Sequence, residues 1–170
     1  MWEQRPLESI EETDLLGLVT DEVPEGLRIE YKSERLGPTP LERKEFLADV
    51  ASFANAVGGH LIFGIEEDGG VPTRVGGLVL TDRDAEVLRL DNLIRDGLDP
   101  RVPGIHIRAV SVSGGNAAIT IRIPASPRAP HMVIYQGEDR FSTRNSAGKS
   151  RMKISLTRLA GRSSSSGPGM

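Results

Sequence analysis

Three glutamates and a lysine have the spacing best suited to chemistry in this chain. Glu25 and Glu30 stand five positions apart, Lys32 follows Glu30 by two, and Glu67 lies just beyond the apolar run HLIFGI at 60–65. In GLRIEYKSE, residues 26–34, Leu27, Ile29 and Tyr31 alternate with Arg28, Glu30 and Lys32. That period of two predicts a half-buried strand with Glu30 and Lys32 together on its exposed face. If this strand neighbours 60–65, the three carboxylates gather at one edge beside Lys32. Clustered carboxylates repel one another and persist where a cation neutralises them. A divalent metal held there would polarise a phosphate and lower the pKa of a bound water, the chemistry of phosphodiester cleavage. The same residues also fit ordinary solvated acids, and residue types alone leave both readings open.

Other candidate residues are basic. SAGKS at 146–150 ends as a phosphate-binding loop does, but the full pattern needs Gly five residues before Gly148, where Thr143 stands. It reads as a basic turn whose Lys149, Arg151 and Lys153 would meet phosphates as point charges. The formal charge of −3 is uneven: from Arg128 to Met170 eight Lys/Arg face two Asp/Glu, net +6, leaving −9 on the first 127 residues. A basic C-terminal third suits anion recognition, and it equally suits an unevenly charged solvated surface. The backbone-contact candidates are Arg128, Arg140, Arg144, Lys149 and Arg151. His60, His106 and His131 share no metal-type spacing and read as structural.

The elements that must position these residues follow from periodicity and punctuation. A short acidic helix is expected over 6–18, with Leu7, Ile10 and Leu15 as contacts, and the strand at 26–32 follows. Thr39 fits an N-cap, Pro40 the first helical position and Glu42 a capping box, opening a helix with Phe46, Val50, Phe53 and Val57 inward until Gly58-Gly59. HLIFGI predicts a central strand buried on both faces, and Glu66 to Gly70 a turn. Thr81 or Asp82 caps a second helix to about Gly97, with Val87, Leu90 and Ile94 inward. GIHIRAVSV and AAITIRI flank Gly114-Gly115-Asn116 as a hairpin. Strands near 131–135 and 139–144 and a short helix near 154–160 complete an α+β fold, a mixed sheet packed by helices. The organisation expected is an acidic helical segment over 1–24, one domain over 25–160 and a disordered tail over 161–170.

Composition removes several classes. The 170 residues hold 38% hydrophobic and 26% charged residues but only 4% aromatic ones, so the core is aliphatic. Without cysteine there is no disulfide and no thiolate zinc site. No apolar run approaches the length of a membrane span, and the N-terminus is not a secretory signal. A cytoplasmic location is the expectation.

Read together, IEYK at 29–32, SFANAVGGHLIFGIEEDG at 52–69, LDNLIRDGLDPRVPG at 90–104, ITIRIPASPRAPHMV at 119–133 and RFSTRNSAGKSRM at 140–152 resemble the Schlafen-AlbA domain family, from about Glu25 to Leu159. That resemblance implies a metal-dependent ribonuclease site, whose acids fall on Glu25, Glu30 and Glu67 and whose lysine is Lys32. The third acid is usually Asp in the family, so Glu66 or Asp68 is an alternative to Glu67. The implied function is an endoribonuclease using Mn²⁺ or Mg²⁺ on structured RNA such as tRNA, in stress response or phage defence. The alternative is a non-catalytic DNA- or RNA-binding module of the transcription-regulator type, or nucleotide binding at the Gly-rich segments. Vertebrate members carry a cysteine-bound zinc and pair two lobes into a clamp. This chain has no cysteine and room for one lobe, so a second lobe would require a homodimer.

Overall fold

A computed structural model describes residues 2–137 and 140–151. Two 3-10 turns, Trp2–Gln4 and Leu7–Ser9, precede helix α1, Glu12–Thr20. The helix thus starts later than the pattern predicted. Glu11 and Asp14 close a reciprocal capping box that fixes its first turn, leaving Leu7 and Ile10 outside the helix yet buried. Strand β1 is Ile29–Lys32, and α2, Pro40–Ala54, starts at Thr39 with the expected capping box to Glu42. α2 ends before Val57, which is 41% exposed instead of packed in the core.

β2, Gly58–Phe63, is followed by β3, Ile65–Asp68, and β4, Val71–Val75. The expected turn at 66–70 is therefore a hairpin whose tip is Gly69-Gly70. Gly64 separates β2 from β3 at φ +95°, where a Cβ would lie 2.8 Å from Gly77 Cα. A side chain is thereby excluded at the point where the chain leaves the sheet. α3 spans Arg83–Gly97 with Asp82 as its cap, and Leu90 and Ile94 are buried as expected. β5, Leu98–Asp99, is a two-residue strand with no sequence signal. β6, His106–Ser111, and β7, Ala117–Pro124, make the predicted hairpin, and β8, Met132–Val133, β9, Arg140–Asn145, and β10, Gly148–Arg151, follow. The helix expected near 154–160 and the tail lie outside the described residues.

The result is an α+β domain built on a mixed sheet, β1-β2-β7-β6, in which β1 is parallel to β2 and the other pairs are antiparallel. A second, antiparallel sheet runs β10-β9-β8-β5. β2 is central, as its continuous apolar run predicts. α2 covers one face of the main sheet, packing Phe46, Val50 and Phe53 on Leu61, Phe63, Ile119, Ile121 and Ile123. The N-terminal turns and α1 cover the other, packing Leu7, Ile10, Leu15 and Leu18 on Ile29, Tyr31, Ile62 and Val110. Among the described residues no helix is long and apolar enough to cross a membrane.

Candidate functional site

Strand β1 alternates as predicted, but its polar side is only partly a solvent face, with Glu30 14% and Lys32 39% exposed. Ile29 and Tyr31 point to the N-terminal layer, so Glu30 and Lys32 point under α2 and β9, where a second set of charges meets them. Glu30 Oε1 lies 2.6 Å from Lys32 Nζ, and its Oε2 accepts from Arg144 Nη1 at 2.6 Å. Lys32 also reaches Asp49 of α2 at 3.3 Å. Asp49 in turn pairs with Lys149 of β10 at 2.8 Å, and Lys149 with Glu45 at 2.8 Å. The chain of ion pairs runs Arg144–Glu30–Lys32–Asp49–Lys149–Glu45 and ties β1, α2, β9 and β10 together.

Arg144 is the anchor. Its side chain is 1% exposed; Nε and Nη2 donate to the Gly26 carbonyl at 3.1 and 3.0 Å, and its guanidinium sits 4.0 Å over the Phe53 ring. A desolvated guanidinium stacked on an aromatic face gains cation–π attraction that a lysine would not reproduce in this planar geometry. Arg144, expected from sequence as a nucleic-acid contact, is enclosed by protein and already engaged by Glu30, the Gly26 carbonyl and the Phe53 ring. Lys149 is 24% exposed and already paired. Arg128 is exposed in the loop before β8. Arg140 and Arg151 stand opposite Val133 and Ser142 in the ladders. Among the described side chains, Arg144 and Lys149 are thus engaged by protein groups while Arg128 is exposed.

The groove beside this cluster has a volume of about 500 Å³ and is walled by Glu25, Glu30, Lys32, Glu66 and Glu67. A neighbouring recess of about 430 Å³, sharing Glu25 and Glu30 with it, adds Asp49, Arg144, Lys149 and the Gly69-Gly70 tip. Glu25 Oε1 accepts from the Tyr31 N–H at 2.8 Å, while the Glu25 N–H donates to Gly70 O at 2.7 Å and locks the hairpin to the strand. Glu67 Oε2 accepts from the Gly70 N–H at 2.5 Å. Of the alternatives for the third acid, Glu66 lines the groove but pairs with Arg74 at 2.9 Å, and Asp68 is not in its wall.

Charge is unbalanced here: Glu25, Glu30, Glu45, Asp49 and Glu67 face Lys32, Arg144 and Lys149. Burial pushes the Glu25 carboxyl up, and the Glu30 and Glu67 carboxylates add to the rise against the Tyr31 hydrogen bond. Burial also opposes ionisation of Glu30, but Lys32 and Arg144 outweigh it and hold Glu30 below its usual range. Asp49 is held high by burial and by Glu30, despite both lysines. Burial acts against the charge of Lys32, yet Asp49 and Glu30 raise it.

As placed, these acids do not form a metal-ligand set. Both Glu30 oxygens are engaged by cations, and among the described residues no group of three or more His, Asp or Glu is placed to hold an ion. Asp49 is the residue the sequence reading missed. Its signal was available, since it lies on the α2 stripe between Phe46 and Phe53, and an acid facing a core needs a buried partner.

The Schlafen, AlbA_2 family matches residues 25–153. No curated protein matches the sequence. The fold is similar to the solution structure of the N-terminal domain of a Nitrosomonas europaea protein described as related to the DNA helicase RecG. That domain is 25% identical, with a TM-score of 0.58 over 86% of this chain and 95% of that one. It is also similar to the DIP2311 protein of Corynebacterium diphtheriae, 21% identical with a TM-score of 0.51, over 83% of this chain but 27% of that one.

Proposed function

The chain belongs to the Schlafen, AlbA_2 family, and from that premise we propose that it is a nucleic-acid-binding domain, RNA being the favoured ligand, that docks the phosphate backbone along the β1–β10 groove. The observation that carries the reading is the pair of ammonium groups, Lys32 and Lys149, both held by the buried Asp49 with their heads partly open to the groove. Buried carboxylate partners keep both lysines charged and fix where they stand, so a phosphate meets cations already in place. The RecG-related neighbour supports a nucleic-acid role.

A second reading, a Mn²⁺- or Mg²⁺-dependent endoribonuclease, is favoured by the carboxylate excess that raises Glu25 between Glu30 and Glu67. It requires Glu30 to exchange Lys32 and Arg144 for an ion. Fluorescence anisotropy with labelled RNA and DNA across salt tests the binding. Affinity should fall with salt, and Lys149→Ala should flatten the log–log slope by about one contact. Absence of binding at low salt sinks the proposal. Incubation of the same RNA with Mn²⁺ or EDTA separates the readings. Metal-dependent cleavage that disappears in Glu30→Gln supports the enzyme; binding without turnover leaves the module.

A further inference from the structure

A second cavity lies at the opposite end of β1 from Lys32, under the N-terminal segment. Its volume is about 630 Å³, within the size range of small-molecule sites, and its wall includes Arg28, His60, His106 and Arg122. The strand register puts three of these in one row: His60 opposite Arg122 on β2 and β7, and Arg122 opposite His106 on β7 and β6. Arg122 Nε donates to His60 Nε2 at 2.9 Å. Burial, with Arg122 beside it, pushes His60 down to about 4, so it orients the guanidinium as a neutral acceptor. Among the described residues the buried Arg122 Nη2 has no hydrogen-bond partner, although unsatisfied buried donors are rare and costly. Arg28 is exposed, and its side chain has no bond or ion pair among the described residues. Glu3 and Glu8 line the same cavity, but neither reaches either arginine at ion-pair distance; Glu8 sits 3.8 Å from His106 Nδ1. Gly58, Gly59 and Gly104 also form part of the wall.

We propose that this cavity binds a phosphomonoester, gripped between the Arg28 and Arg122 guanidinium forks. Two planar forks match the several acceptor oxygens of a phosphate dianion, and a turn of the Arg122 guanidinium toward the cavity would give its buried Nη2 an acceptor. The phosphate could come from a free phosphorylated small molecule or from the terminal phosphate of a nucleic-acid strand; only the latter rests on the function proposed above.

The test is titration of the ¹⁵N-labelled chain with inorganic phosphate against chloride at matched ionic strength. Saturable shifts are expected at the Gly58, Gly59 and His60 amides and at the Arg122 Nε–H. Arg28 is exposed and bonds to no other side chain among the described residues, so Arg28→Ala should fold; it should weaken phosphate about tenfold or more, the scale of a charge-assisted hydrogen bond. A 5′-phosphorylated RNA oligonucleotide is then compared with its unphosphorylated twin. A preference for the phosphorylated strand that is lost in Arg28→Ala assigns the ligand to a strand end. A response to free phosphate without that preference assigns it to a small molecule. No saturable shift with phosphate and no strand preference, or full affinity in Arg28→Ala, overturns the site.

Discussion

Replacing Arg144 with alanine should unfold this protein far sooner than it weakens any ligand. The side chain is 1% exposed and makes a 2.6 Å ion pair with Glu30, two bonds to the Gly26 carbonyl and a 4.0 Å contact over Phe53. Removing one partner of a buried pair leaves the other charge uncompensated, a loss of about 3–5 kcal/mol. Lys32 remains beside Glu30 and offsets part of that, so the lower end, about 3 kcal/mol, is the expectation. For a chain of this length that is a fall in melting temperature of roughly 6–12 °C, at about 2–4 °C per kcal/mol. The assay is urea unfolding of wild type, Arg144→Ala, Glu30→Gln and the double variant. The two sites share one bond, so the cycle should show a coupling of about 1–3 kcal/mol. Nucleic-acid affinity of folded Arg144→Ala at low temperature should stay within about twofold of wild type, because a phosphate contact is worth more than that. A variant as stable as wild type that binds RNA weakly, with a flatter salt dependence, would refute the argument and return Arg144 to the surface.

The pH dependence of stability should carry a histidine component. The folded state keeps His60 neutral down to about 4 whereas the unfolded chain protonates it near 6.5, so stability is lost as pH falls through that window. The full loss is about 3 kcal/mol at about 1.36 kcal/mol per pH unit, and it should be absent from His60→Gln when the two stability–pH curves are subtracted; parallel curves would contradict it. Gly59→Ala should destabilise by about 1–3 kcal/mol, the cost of overpacking, since its Cβ would lie 2.4 Å from the Arg28 carbonyl and 2.6 Å from the Phe53 ring. Chemical denaturation checks this, and a neutral result would mean that β1 and α2 can move apart.

The sequence by itself determined the elements that depend on neighbours along the chain. The Thr39–Glu42 capping box, the Asp82 cap, the alternation of β1, the buried run of β2 and the β6–β7 hairpin are all set within a few residues. So were the family motifs. What each charge does was decided only by tertiary structure, because an ion pair depends on distance across elements. Glu30 and Lys32 alternate as an exposed face would, yet α2 and β9 close over them and bring Asp49, 17 positions beyond Lys32, and Arg144, 114 positions beyond Glu30, into contact. A basic C-terminal count likewise could not separate Arg144, buried under Phe53, from Arg128, which remains exposed. Periodicity reports which side of a strand is polar. Whether that side meets water or other charges depends on which parts of the chain fold over it.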